Sequence, residues 1–256
     1  MKRRRWAVKA GSQVVCSGGP ELVKSWMAQV ERLQTQHGID VVWITSGAIA
    51  SAEEKFSFPG KQKTLPEKQA LSAIGQPLVM EQYNQALNKL GLKGAQVLLT
   101  ADDMIKPSSR KNLLNTLNTL MDWKTIPILN ENDAIATAEI KFGDNDQLSA
   151  LIARLMKVDK LILLTDVSGF YDEDPKNNPN AKIIRHKKTI SQKDLAQAAK
   201  YSSSQKGTGG IYSKLLAAKL AQKARVVTHI VSGHTSEVLI KIAQNEKVGT
   251  QIGGTL

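Results

Sequence analysis

Ile126-Pro127-Ile128-Leu129-Asn130-Glu131-Asn132-Asp133-Ala134-Ile135-Ala136-Thr137-Ala138-Glu139-Ile140-Lys141-Phe142-Gly143-Asp144-Asn145-Asp146-Gln147 is the stretch on which the fold of this chain turns. An apolar, strand-like run from Ile126 to Leu129 enters it, and a helix-like run leaves it near Gln147. Between them crowd Asn130, Asn132, Asp133, Asp144, Asn145 and Asp146. Asn and Asp are poor strand and helix formers, so the middle reads as a loop at a strand end. Strand, loop and helix make the unit of an α/β sheet, and such sheets bind ligands beyond the carboxyl ends of their strands. Carboxylates and amides gathered there suit a small ligand with amino and carboxyl groups, or cations.

The same alternation continues in both directions. Apolar runs predict strands at about 5–9, 39–45, 96–100, 125–129, 160–165, 226–231 and 248–252. Helical spacing predicts helices at about 21–36, 48–54, 68–90 with a break near Pro77, 112–123, 146–156, 191–199, 214–223 and 237–245. Residues 59–66 read as a polar loop and 175–188 as irregular or hairpin-like. The fold class expected is therefore α/β, a mostly parallel sheet with helices on both faces. No repeat or low-complexity linker interrupts it.

The chain has 256 residues, 41% hydrophobic and 23% charged, ordinary values for a globular protein. One cysteine, Cys16, excludes an internal disulfide framework and a four-cysteine zinc site, and fits a reducing compartment. No apolar run spans a bilayer. Met1-Lys2-Arg3-Arg4-Arg5 looks like the start of a signal peptide, but Lys9 and Gly11 follow too soon for a hydrophobic region. A cytoplasmic location is expected. The net charge of +12 attracts anions in general. Aromatic content of 5% is too sparse for a base-stacking platform, so no specific nucleic acid is expected.

Four more segments can carry chemistry. Val8-Lys9-Ala10-Gly11-Ser12 ends a strand in a lysine and a Gly-Ser turn, whose exposed N–H groups make an anion site. Thr45-Ser46-Gly47-Ala48 breaks a buried strand into a helix; Ser46 either caps that helix or holds a carboxylate or phosphate. Leu164-Thr165-Asp166 delivers two polar groups to the end of another buried strand. Lys206-Gly207-Thr208-Gly209-Gly210-Ile211-Tyr212-Ser213-Lys214 is a glycine-rich loop before a helix. Glycines there let backbone amides approach phosphates, although the spacing is not that of a P-loop.

Taken together, these segments make the chain resemble the amino acid kinase family over nearly its whole length, from Val8 to about Gly249. Within that family it is similar to the branch that phosphorylates L-glutamate. Thr45-Ser46-Gly47-Ala48-Ile49-Ala50, the run from Asn130 to Asp146, Gly169-Phe170-Tyr171 and Val248-Gly249-Thr250 carry the likeness beside the motifs above. The resemblance implies a three-layer αβα sandwich, a single kinase domain over 1–256, an acceptor half of about 1–157 and a nucleotide half of about 158–256. It implies ATP with Mg²⁺, L-glutamate as acceptor, L-glutamyl 5-phosphate as product on the way to proline, and proline as feedback ligand. A homo-oligomer, dimer or tetramer, is expected.

By the same resemblance, Lys9 and Lys214 flank the transferred phosphoryl group and Asp146 organises both. Ser46, Asp133 and Asn145 would hold glutamate. Lys9, Gly11, Ser12, Thr165 and Asp166 would contact the nucleotide, with Thr208, Gly209, Gly210, Ile211, Tyr212, Ser213 and Lys214. No metal-ligand set on the protein is expected. Ile211 and Ser213 stand where members often carry Met and Thr, and Ala10 replaces a larger aliphatic residue. Many bacterial members continue into a small PUA domain; this chain stops at Leu256, so a form without that module is expected. The chemistry suits the inventory. A glutamate side chain, with an ordinary pKa of about 4.3, is already ionised at neutral pH and needs no general base. His37, His186, His229 and His234 all lie outside the motifs. The alternatives are a sister kinase for acetylglutamate, aspartate, uridylate or carbamate, and a catalytically silent relative that binds a ligand or nucleic acid.

Overall fold

The computed structural model describes residues 3–58, 63–136, 145–175, 177–200 and 210–255. Its strands are β1 (Arg4–Ala10), β2 (Ile39–Ile44), β3 (Lys93–Leu99), β4 (Thr125–Glu131), β5 (Lys160–Thr165), β6 (His186–Lys187), β7 (Val227–Ser232) and β8 (Thr250–Ile252). The helices are α1 (Ser12–Gln36), α2 (Ala48–Lys55), α3 (Leu65–Asn88), α4 (Ala101–Ile105), α5 (Pro107–Asp122), α6 (Asn145–Met156), α7 (Gln192–Lys200), α8 (Gly210–Gln222) and α9 (Val238–Ala243). The strands form one sheet in the order β3-β4-β2-β1-β5-β7-β8-β6. Neighbours are parallel except β7 and β8, which are antiparallel.

The central strands are apolar at successive positions because both of their faces are covered. Along β1, Trp6, Val8 and Ala10 join one core while Ala7 joins the other. On β2, Val41 and Trp43 face the first and Val42 and Ile44 the second. The first core is closed by residues of α1, α3 and α9, such as Trp26, Leu33, Tyr83 and Leu239. The second is closed by residues of α5, α6 and α8, such as Leu117, Ile152 and Leu215. The result is a three-layer αβα sandwich. Each fully buried aliphatic or aromatic side chain contributes about 1.5–3 kcal/mol relative to exposure. Among the described residues no helix is long and apolar enough to cross a membrane.

Several element boundaries differ from expectation, each for a local reason. α1 begins at Ser12 rather than near residue 21. Gly19, at φ 58° and ψ −164°, is non-helical and kinks α1, so the helix expected from residue 21 is the part of α1 beyond that kink and a shorter part precedes it. α3 runs through Pro77 without breaking. It starts at Leu65 on a capping box, where Glu67 accepts the Thr64 backbone N–H at 2.6 Å. Pro66 suits that first turn, since its missing N–H would have had no intrahelical partner. The short α4 escaped notice, and α5 begins at Pro107 instead of residue 112. α8 begins at Gly210, so Lys214 lies in its second turn rather than at its start.

The order of strands positions the site. From β1 the chain builds outward to β2, β4 and β3 on one side, and to β5 and β7 on the other. The reversal falls between β1 and β5, where an open α/β sheet offers a crevice at the strands' carboxyl ends.

Candidate active site

At that crevice β1 ends in Lys9, whose side chain is 3% exposed. Its ammonium meets Asp146 Oδ1 at 2.7 Å. Asp146 is fully buried in the first turn of α6, where the helix dipole favours an anion. Its Oδ2 accepts from Ser213 Oγ at 2.6 Å and from Lys214 Nζ at 3.2 Å, both on α8. Lys214 also donates to Gly210 O at 3.3 Å, and Ser149 Oγ donates to Asp146 O at 2.6 Å. Burial by itself would raise the Asp146 carboxyl. The Lys9 and Lys214 ammoniums and the Ser213 hydroxyl outweigh it and hold the group below the usual carboxylate range. Among the described residues, two buried cations share this one anion.

A second group lies on the β2–β4 side. Asn145, next to Asp146, donates from Nδ2 toward Thr45 O at 2.8 Å, Ser46 Oγ at 2.9 Å and Asn130 Oδ1 at 2.7 Å. Asn130 Oδ1 also accepts the Glu131 N–H at 2.9 Å, and Asn130 Nδ2 donates to Gln76 Oε1 at 2.7 Å. The end of β2 is anchored from behind. Thr45 Oγ1 and Trp43 Nε1 both donate to the Tyr83 hydroxyl, at 3.1 and 2.9 Å. Burial pushes the Tyr83 hydroxyl up to about 12, so it stays protonated. Asp133 occupies the turn after β4, half-buried, and that turn is closed by Ala136 N–H to Asn132 O at 3.0 Å.

The remaining sites flank the switch point. Gly11 N donates to Leu164 O at 3.2 Å, tying the β1 turn to β5. Ser12 opens α1 and is exposed. Thr165 is buried and donates to Asp166 Oδ1 at 2.9 Å, while Asp166 itself is exposed. Gly210 takes φ 74°, and Ile211 and Tyr212 follow half-buried on α8. Thr208 and Gly209 lie outside the described residues, as do Thr137 to Asp144 of the opening stretch. The structure thus joins Lys9, Asp146, Ser213 and Lys214 in one cluster and Ser46 with Asn145 in another. Sequence reasoning missed Gln76, Ser149 and Tyr83. Only the Gly75-Gln76 pair inside a helix signalled that α3 comes close to another element.

Residues 4–232 match the family model described as the amino acid kinase family. The chain belongs to the amino acid kinase family. The glutamate 5-kinase of Hydrogenovibrio crunogenus is 38% identical over 252 residues, covering 97% of this chain and 67% of that protein. The glutamate 5-kinase of Shewanella oneidensis is 42% identical over 250 residues, covering 96% and 67%. Among solved structures, the isopentenyl phosphate kinase of T. acidophilum superposes with TM-score 0.64 at 17% identity, covering 97% of this chain and 99% of that one. The UMP kinase of Ureaplasma parvum gives TM-score 0.64 at 16% identity, covering 99% and 100%. At such identities the likeness establishes the fold alone, and it is the amino acid kinase sandwich.

Proposed function

We propose that this amino acid kinase transfers the γ-phosphoryl group of ATP to the side-chain carboxylate of L-glutamate. The product is L-glutamyl 5-phosphate, the first step toward proline. A carboxylate oxygen attacks the γ-phosphorus, the bond to the bridging β,γ-oxygen breaks, and ADP leaves with that electron pair. No proton need be removed from the acceptor. Catalysis is then positioning plus neutralisation of charge on the transferring group. Lys9 and Lys214 supply that charge, and Asp146 spaces them. Ser46, Asp133 and Asn145 hold the acceptor. Gly11, Ser12, Thr165, Asp166 and residues 208–214 hold the nucleotide.

The observation that carries this reading is the buried Lys9–Asp146–Lys214 cluster, two cations held on one carboxylate, at the switch point beside the Ser46–Asn145 amide cluster. The relatives named glutamate 5-kinase favour glutamate over the acceptors of sister kinases. The acceptor half then spans about 1–157 and the nucleotide half about 158–256. Mg²⁺ would arrive on the nucleotide, where it offsets phosphate charge. Both Asp146 oxygens are engaged by cations and a hydroxyl, and no group of three or more His, Cys, Asp or Glu is poised to cage a metal among the described residues. A cytoplasmic homo-oligomer, dimer or tetramer, with proline as feedback ligand, accords with this reading. Ile105 and Trp123, 68% and 71% exposed, give apolar surface for such contacts.

The test is hydroxamate formation from acceptor, ATP, Mg²⁺ and hydroxylamine, which traps an acyl phosphate. L-glutamate should be turned over in preference to L-aspartate and N-acetyl-L-glutamate. Equal or better turnover of acetylglutamate overturns the assignment.

A further inference from the structure

Gln76 belongs to no motif, yet it ends a chain of three side-chain amides. Two backbone groups set the polarity of that chain. Thr45 O can only accept, so Asn145 presents its NH₂ there, at 2.8 Å. Glu131 N–H can only donate, so Asn130 presents Oδ1 to it at 2.9 Å, and the same oxygen meets Asn145 Nδ2. Asn130 Nδ2 is thereby turned toward α3, and Gln76 must offer Oε1, which it does at 2.7 Å. Each amide orientation is therefore determined by the backbone. What remains is one acceptor and one donor, Asn145 Oδ1 and Gln76 Nε2. Both atoms are buried and have no hydrogen-bond partner. Gln76 as a residue is 7% exposed and Asn130 1%.

Buried amide atoms are almost always paired, and an orphan of this kind calls for a ligand. Gln76 is also brought to this place by design of the helix packing. A Cβ on Gly75 would fall 1.7 Å from Ala48 O, so only glycine lets α3 press against the start of α2 beside Ser46. The ligand chemistry follows from the pair left open. An oxygen acceptor suits an ammonium, and an N–H donor suits a carboxylate. A free α-amino acid carries both, whereas an N-acylated acceptor has lost the ammonium.

We propose that Gln76 is a binding residue for the amino-acid acceptor: its Nε2 donates to the acceptor's α-carboxylate while its Oε1 holds the Asn130–Asn145 relay that presents Asn145 Oδ1 to the ammonium. This rests on the reading of the site as a glutamate kinase and adds a determinant on α3. Two variants separate its roles. Gln76→Glu, assayed over a pH series from about 7 to 10 because burial raises a carboxyl above its ordinary value, keeps an oxygen for Asn130 and, once ionised, replaces the donor by an anion. Gln76→Met removes both the donor and the relay contact. Glutamate KM and glutamate affinity by calorimetry without ATP are measured beside ATP KM and melting temperature. The expected result is at least a ten-fold loss for glutamate in both variants, with ATP KM unchanged and the melting temperature of Gln76→Glu near that of the parent. Normal glutamate binding in Gln76→Glu overturns the contact, whatever Gln76→Met does. Parallel losses for glutamate, ATP and folding in Gln76→Glu overturn it too, since they mark a packing role. If the parent protein itself forms no acyl phosphate from glutamate and does not bind it, the underlying assignment has failed instead.

Discussion

The lysine–carboxylate cluster and the amide cluster stand side by side, share the first turn of α6, and are built on opposite principles. In the first, every charged atom is engaged inside the protein: Lys9 and Lys214 both close on Asp146, with Ser213 filling the second oxygen. In the second, three amides hydrogen-bond each other and still leave a donor and an acceptor unused. On the proposed function, the difference separates two tasks. A preorganised charge need only be held rigidly where negative charge develops, so its ties are internal. A recognition surface must keep atoms open for its ligand, since a pocket that satisfies itself gains nothing on binding.

The largest effect should come from breaking the charged cluster. Lys214→Ala removes one of the two cations, and turnover should fall on the order of 10² to 10³, by analogy with loss of one transition-state donor. Glutamate affinity should persist, because the lost interaction belongs to the transition state. Steady-state kinetics with calorimetric glutamate binding checks this, and near-normal turnover would demote Lys214 to a structural partner of Asp146.

A smaller and different effect should follow on the recognition side. Asp133→Asn keeps the side chain's shape and removes the charge proposed to pair with the acceptor's α-ammonium. Glutamate binding should weaken by about 1.5–3 kcal/mol, roughly 10- to 100-fold in KM, with ATP KM and melting temperature little changed. If both substrates and thermal stability suffer together, Asp133 only closes its turn.

The smallest effect at neutral pH sharpens the comparison by a control. His229 lies in the middle of β7, paired in register with Ile162 and Gln251, and both its ring nitrogens are buried without a partner. It is an orphan away from any strand end, so it marks stability and not binding. Burial, with help from the Lys160 charge, pushes its pKa down to about 3. An unfolded histidine titrates near ~6.5, so between these values the unfolded chain binds a proton that the native chain does not. Stability should therefore be unaffected above about pH 7 and should fall as pH drops through 6.5 toward 3, by up to ~1.4 kcal/mol per pH unit. His229→Leu should flatten that slope by one proton in urea titrations run at a series of pH values. Superimposable slopes would show that His229 does not control acid sensitivity.

The alternation of strands and helices was legible because buried parallel strands are apolar at every position, as in Val41-Val42-Trp43-Ile44, and helices are not. The charged site was legible for a related reason. Lys9 and Asp146 sit at element ends, where punctuation by Gly, Asn and Asp is strongest, while Lys214, in the second turn of α8, stood out only through the family resemblance. Gln76 was not, because it lies mid-helix in an ordinary-looking stretch, and its place in the amide chain arises only when the fold brings it to Asn130 of β4. Pro77 misled in the opposite sense. Local propensity argued for a break, and packing of α3 residues such as Val79 and Tyr83 into the core overrode it. The pairing of β7 with β8 was equally out of reach, since strand direction depends on the connection and not on the strand's own residues.

Asn145 and Asp146 are consecutive residues of one helix, about 100° apart around its axis. On the proposed roles, the grip on one substrate and the spacing of the cations for the other are thus machined into a single rigid part. Any slide or twist of α6 that loosened the acceptor contact would also pull Asp146 from between Lys9 and Lys214. Retargeting the enzyme to a longer or shorter acceptor, by evolution or by engineering, therefore has little freedom along α6. On the same proposal, the adjustable walls are those that do not touch the cations: Ser46 at the end of β2 and Gln76 on α3.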